Sequence, residues 1–377
     1  MNDGEIIAWH FANRKPVRLR WKAGVITNID KPPGPPPPSD LWIAPPLFDI
    51  QVNGYGGIDF QQDDFTTDDL LTAAEQLQKA GCARFLMTCI TDEWEKLTDR
   101  LRFARALRAE DKTLQSAIAG WHIEGPFLST VAGFHGAHNP ALMLEPTAER
   151  IRELREITGD DPLLLTISPE VPGAIEAITL AVSLGIKISL GHTDASAEII
   201  GKAIAAGATG FTHLGNGCPR ELDRHDNILW RILDRPELTI SVIPDKIHVS
   251  PALFRLFHRV IDRNRIVYTT DAMSAAGAPP GRYKLGEMEF EVGADQVVRQ
   301  PGKTNFAGSA LSPVDAVFRS AQMLGVGWQD VWTRYSEIPA RFMGLPNNLS
   351  VGQPANFCVL KTAEENKLAE LKMIAPE

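Results

Sequence analysis

Four short stretches each end an apolar run on a side chain able to do chemistry. "HIEGPF" presents Glu124, "SLGHTDAS" presents His192, "FTHLGNG" presents His213 and "YTTDAMSAAG" presents Asp271. The Gly-Pro after Glu124 stops its run and exposes the carboxylate. Taken singly, Glu124 is equally a capping or ion-paired residue, and each histidine a satisfied core or cap residue. Together, two neutral imidazoles and one carboxylate are the ligand set of a catalytic zinc site, with a fourth position open for water. Water bound to such an ion has a pKa of about 7. A carboxylate in hydrogen-bond reach, Asp271, can take that proton and pass it to a leaving amine; the alternative for Asp271 is a cap on the next turn. His122 shares the strand face of Glu124 and reads as a core or supporting residue rather than a ligand.

Residues so far apart in the chain need a scaffold that gathers strand ends. Eight apolar runs are strand candidates: "LFDIQVNG", "ARFLMTCI", "AIAGWHIEG", "PLLLTISPE", "KISLGHT", "TGFTHLGN", "LTISVIP" and "RIVYTTDAM". Each has the length and Val/Ile/Leu/Thr content of a buried parallel strand. Helical segments separate most of them. "TTDDLLTAAEQLQKAG" opens on capping Thr and Asp and closes on Gly81, while "DASAEIIGKAIAAG" and "SPALFRLFHRVIDR" repeat apolar residues every three or four positions. The pattern is α/β and predicts a (β/α)8 barrel of the TIM type, whose chemistry lies at the C-terminal strand ends. Six of the nine histidines (His122, His135, His138, His192, His213, His248) lie at or just past such an end, with Gln51, Asn53 and Asp245. A doubly wound open sheet is the second choice, but no Gly-rich phosphate loop follows the first strand.

The flanks differ. "IIAWHF", "PVRLRW" and "GVITNI" read as short strands, "KPPGPPPPSD" as an exposed extended loop, and the tail from about 345 returns to strand and turn. The expected division is a barrel over 48–345 beside a small β-sandwich domain built from 1–47 and 346–377.

The 377 residues carry a formal charge of −9, which argues against nucleic acid or an anionic membrane as partner. The start lacks an apolar stretch behind basic residues, no apolar run is long enough to span a bilayer, and four cysteines without paired spacing fit reduced thiols. A cytoplasmic location is expected.

In chain order, "PPLFDIQVNGYGG", "HIEGPF", "GAHNP", "GHTDAS", "THLGNG", "IPDKIHVSP", "TTDAM" and "FAGSAL" resemble the N-acetylglucosamine-6-phosphate deacetylases of the amidohydrolase superfamily, from about residue 44 to 360. The resemblance implies an amidohydrolase barrel with a small β domain, commonly a homodimer. It implies hydrolysis of the acetamide of an amino-sugar phosphate to free amine and acetate. One divalent ion would be held by Glu124, His192 and His213; zinc is the first expectation, and iron, cobalt or nickel suit the same donors. Many metal-dependent hydrolase barrels end the first strand in His-x-His. Gln51 and Asn53 stand there instead, matching single-metal members. By the same resemblance Asp271 is the acid/base residue, His138 polarises the acetyl carbonyl, His248 contacts substrate, and Asn216, Gly217 and Arg224 hold the phosphate.

Two departures fall in the ligand-holding region. Lys246 replaces a small residue in "DKIH", and His225, Asp226 and Asn227 replace Glu-Pro-Gly. They would add charge for phosphate or fill its pocket, and Lys246 is equally an outward, solvated side chain. The alternatives are therefore N-acetylgalactosamine 6-phosphate, an unphosphorylated N-acetyl sugar or another N-acyl amine. A non-catalytic sugar-phosphate-binding barrel is a third reading. A two-metal hydrolase is disfavoured, because Gln51 and Asn53 are poor ligands and "KISLGHT" offers no bridging Lys.

Overall fold

The structure, a computed structural model, describes residues 3–301, 308–364 and 366–375; the first two residues of "FAGSAL" lie outside this set. All eight predicted strands are present: β1 (Leu47–Val52), β2 (Cys82–Ile90), β3 (Ile118–Glu124), β4 (Leu163–Ile167), β5 (Lys187–Leu190), β6 (Gly210–Phe211), β7 (Thr239–Val242) and β8 (Ile266–Tyr268). They pair in parallel with their chain neighbours in one sheet, the order expected of a barrel.

The join between β8 and β1 is made largely by side chains. Asp49 on β1 is fully buried, and its carboxylate accepts from Thr269 Oγ1 (2.5 Å), Thr270 Oγ1 (2.6 Å), Thr270 N (3.1 Å) and Tyr335 Oη (2.5 Å). One step along, the Asn53 N–H donates to Ala272 O at 2.7 Å. A buried charge is tolerated only when its lone pairs are satisfied in this way. Burial still pushes the Asp49 carboxyl upward, and these hydrogen bonds oppose it.

The helices follow their sequence signals. Thr67–Lys79 starts on Thr66, which forms a reciprocal capping box with Asp69, and the chain then turns through Gly81 at φ 83°. Ala197–Ala205 and Pro251–Val260 carry serine caps, worth about 1 kcal/mol each.

Strands Gly4–His10, Pro16–Lys22, Val25–Asp30, Leu41–Ala44, Phe357–Glu364 and Lys367–Ile374 form one six-stranded sheet, mostly antiparallel. The expected sandwich takes the form of this sheet laid on the barrel, which serves as its second layer. The period of two shows it: Cys358 and Leu360 pack into the barrel core, while Phe357 and Val359 join Leu19, Ile26 and Ile43 on the other face.

One element has no counterpart in the sequence reading. After β8, strands Gly281–Leu285, Met288–Val292 and Val298–Arg299 make a three-stranded sheet whose Leu285, Phe290 and Val292 pack on Met273, Ala275 and Ala310. It brings Leu285 to the barrel mouth.

Candidate active site

Glu124 is the last residue of β3, His192 and His213 lie two residues past β5 and β6, and Asp271 lies three past β8. Glu124, His192 and His213 are all buried, and one potential ligand atom of each lies within 4.8 Å of the others. His213 Nε2 is 2.8 Å and His192 Nε2 3.3 Å from Glu124 Oε1; His138 Nε2 is 3.6 Å from Oε2. Burial alone would raise the Glu124 carboxyl, but these three imidazoles hold it well below its usual value.

The donor set fits a cation for a specific reason. His192 Nδ1 is 2.9 Å from the Phe134 carbonyl, which can only accept, so the ring proton sits on Nδ1. Burial first, and neighbouring histidines with it, lower the His192 pKa to about 4, so the ring is neutral. Its Nε2 therefore turns a lone pair toward Glu124 Oε1, and it is a buried atom without a hydrogen-bond partner. Two facing buried acceptors are reconciled by a positive ion between them.

Strain marks the same residues. His192 (φ 52°), His213 (φ 33°) and Asp271 (φ 50°) adopt left-handed backbone, at a cost of order 1–3 kcal/mol each. Their surroundings hold them there. Ser168 Oγ donates to His192 O at 2.7 Å, Ser241 Oγ accepts from His213 N at 2.7 Å, and Asn216 Nδ2 donates to His213 O at 3.2 Å. Gly217 packs so tightly that an added Cβ would come within 2.8 Å of His192 Nδ1.

Asp271 is reached from β1. Asn53 Nδ2 donates to its Oδ1 at 2.7 Å and Gln51 Nε2 to the same oxygen at 3.1 Å. Burial, then repulsion from Glu124, raises the Asp271 pKa to about 7, with His213, His248 and the Asn53 bond acting the other way. A carboxyl poised there suits proton transfer near neutrality.

A cavity of about 510 Å³ opens above these groups. His138, Asn216, Gly217 and His248 line it, as the sequence predicts, and so does Arg220, which the sequence reading passed over. His248 Nδ1 is 2.5 Å from Asp245 Oδ2; burial alone would lower the His248 pKa, but the Asp245 charge raises it above its usual value.

Arg224 is exposed and is not among the lining residues, and neither Lys246 nor His225 is. Lys246 Nζ reaches Gln322 Oε1 instead, at 3.1 Å. Asn227 caps the helix Ile228–Leu233 and Asp226 pairs with Arg231 at 2.6 Å, so both are spent on holding the loop. None of the departures fills the cavity.

Sequence reasoning missed three more supports. Thr91 Oγ1 lies 2.8 Å from His138 Nδ1, the Phe134 carbonyl fixes His192, and Asp49 fixes the segment before Asp271. Only Asp49 left a signal: an acid inside an apolar strand.

A parallel eight-stranded barrel with a buried Glu/His/His cluster at its C-terminal mouth defines a metal-hydrolase barrel of the amidohydrolase kind. An enamidase described as a member of that superfamily shares the fold, with a TM-score of 0.56 at 14% identity over 98% of this chain and 91% of the other. No protein-family model matches the chain.

Individual relatives are more specific. The chain is 30% identical over 329 residues to the N-acetylglucosamine-6-phosphate deacetylase of Vibrio furnissii, covering 86% of this chain and 80% of that protein. It is 26% identical over 330 residues to the Bacillus subtilis deacetylase, covering 86% and 82%. A variant of the Mycobacterium smegmatis deacetylase, in complex with N-acetyl-D-glucosamine-6-phosphate, superposes with a TM-score of 0.88 at 27% identity, covering 100% of this chain and 98% of the other. The chain belongs to the N-acetylglucosamine-6-phosphate deacetylase family and is an enzyme of the amide-hydrolase class.

Proposed function

We propose that this enzyme hydrolyses the acetamide of N-acetylglucosamine 6-phosphate, releasing glucosamine 6-phosphate and acetate. The observation that carries the reading is the placement of Glu124, His192 and His213 within 4.8 Å of one another under a cavity that Asp271 also lines. The likeness to a solved relative in complex with N-acetyl-D-glucosamine-6-phosphate supports the substrate.

Glu124, His192 and His213 would hold one divalent ion, zinc first, with iron, cobalt or nickel as alternatives. When bound, it supplies a Lewis acid that lowers the pKa of water to about 7 and polarises a carbonyl. Asp271 accepts the proton of the attacking water and returns it to the departing nitrogen. His138, its Nδ1 engaged by Thr91 Oγ1 at 2.8 Å, turns Nε2 toward the Glu124 cluster and, protonated there, would offer an N–H to the developing oxyanion. His248, its pKa raised by the Asp245 carboxylate, supplies one positive charge for the phosphate when protonated. Arg220, on the cavity wall, supplies another, and Arg224 adds to the field from the exposed side of the same loop. Asn216 and Gly217 shape the wall between sugar and ion.

The enzyme is further proposed to work in the cytoplasm as a homodimer. The four cysteines are free, and among the described residues no helix is long and apolar enough to cross a membrane.

The test is acetate release by purified protein from N-acetylglucosamine 6-phosphate, its galactosamine epimer and free N-acetylglucosamine, with metal content and solution mass measured on the same sample. N-acetylglucosamine 6-phosphate should be turned over at least about tenfold faster than either competitor. Equal rates on the free sugar would remove the phosphate from the assignment.

A further inference from the structure

The two amides that stand where a first-strand His-x-His pair would be have a task visible in their contacts. We propose that Gln51 and Asn53 are positioning residues: their N–H groups together fix one oxygen of Asp271, leaving the other for the reacting groups. In this way they do with hydrogen bonds what an ion held at those positions would do with charge. The proposal rests on Asp271 being the base, as argued above.

The geometry is specific. Both donors converge on Oδ1, at 2.7 Å from Asn53 and 3.1 Å from Gln51, although Asp271 has two oxygens. A carboxylate oxygen has about two lone-pair positions. Two donors therefore fill Oδ1 and define the rotation of the whole group about its Cβ–Cγ bond, a torsion that is otherwise broad.

Neither amide is free to wander, with Gln51 1% and Asn53 2% exposed. Gln51 does not line the cavity, so a direct contact with substrate does not account for it. Burying an unpaired amide in a barrel interior is costly. Gln51 avoids that cost through Asp271.

The same strand restrains the backbone that carries the base. Asp49, Gln51 and Asn53 alternate along β1 and its extension, and all three reach toward 269–272. Asp49 grips Thr269 and Thr270 on one side of Asp271, and Asn53 N holds Ala272 O on the other. Asp271 itself sits at φ 50°, a conformation that persists only when its surroundings over-determine it. The backbone is thus held by Asp49 and the carboxylate by the two amides. Misplacing a reacting group by about 1 Å costs on the order of 100-fold in rate.

The test uses Gln51→Met and Asn53→Leu, near-isosteric changes that remove the side-chain amides, singly and together, in the metal-loaded enzyme. Asp271→Asn is measured beside them. Expected for the double variant are a kcat loss of about 100-fold, KM within about threefold, and an unchanged content of one metal ion per subunit by elemental analysis. Each single variant should lose about tenfold, which keeps the test open if the pair fails to fold.

Unchanged kcat in both single variants would overturn the proposal, as would loss of the metal or a rise in KM that accounts for the whole defect. If Asp271→Asn keeps full activity, the base assignment falls with it. If that variant is inactive and the amide variants are not, only this inference falls.

Discussion

At the deep end of the cavity every reacting group is doubly held. Asp271 is bonded by two amides and flanked by a backbone that Asp49 and Asn53 pin; His192 is fixed at its ring by Phe134 and at its carbonyl by Ser168. At the outer end, Arg220 and Arg224 stand exposed on the loop that runs from Asn216 to the helix at Ile228. That loop spends its polar residues on itself: Asp223 caps His225 N and Asp226 N, and Asn227 caps the next helix. The contrast separates two kinds of recognition. Proton transfer needs tenths of an ångström and is built on buried, converging hydrogen bonds. Capture of a phosphate needs charge in the right region and tolerates a softer scaffold.

The sharpest break of that contrast is at the deep end. Glu124→Gln should release the metal, and with it at least about 10³ of the rate. Asp271→Asn should retain the metal and still lose about 10³–10⁴ in kcat, the upper range for a general base. A tightly bound metal in the first variant would contradict the ligand assignment.

His138→Ala comes next. Removal of one oxyanion donor costs about 10²–10³ in kcat, with KM little changed; a pure KM effect would move His138 to substrate binding.

The pH profile sharpens the same end. The Asp271 carboxyl is raised to about 7 and works as a base only when deprotonated, so kcat falls as pH drops through that value. A bound cation lowers the value and does not raise it, which places the acidic limb at or below about pH 7. A limb clearly above that would require another base.

At the outer end the effects are smaller and selective. Arg220→Ala should raise KM about tenfold for the phosphorylated sugar and leave the free sugar unchanged. Arg224→Ala, outside the lining of its own cavity, should do less in an isolated subunit. Asp245→Asn removes the partner that raises the His248 pKa, so the imidazole loses its charge at a lower pH than before, and the rise of KM for the phosphate substrate with increasing pH should begin at a lower pH than in the unmodified enzyme. The smallest effect is expected for Lys246→Ala: below about twofold, since Lys246 points to Gln322. A large defect there would show that the outer loop rearranges when substrate binds.

What the sequence displayed follows the same division. The Glu124, His192 and His213 cluster was legible because a candidate metal site restricts residue type and a barrel restricts position to a strand end. The eight strands were legible because burial on both faces leaves near-continuous apolar runs. Phe134 was not, since a carbonyl has no letter of its own, and Thr91 looks like any strand-end threonine. Arg220 and Arg224 lie on a loop without a period, so only the fold distinguishes the one at the cavity wall from the one outside it. The three-stranded insertion was hidden for another reason. Its strands, such as "MEFEV", alternate as half-exposed hairpins do and lack the near-continuous apolar run of a buried parallel strand.

The carboxylate seam between β1 and β8 also orders events in time. Asp49 and Thr270 are 221 positions apart, whereas each earlier strand pairs with the one made just before it. Long-range closures are slow, because chain entropy must be spent before the contact repays it. A nascent chain that stalls on the ribosome before residue 270 already holds Glu124, His192 and His213 yet lacks Asp271. It also leaves β1 as an unpaired edge, the kind of surface that recruits other unfinished chains.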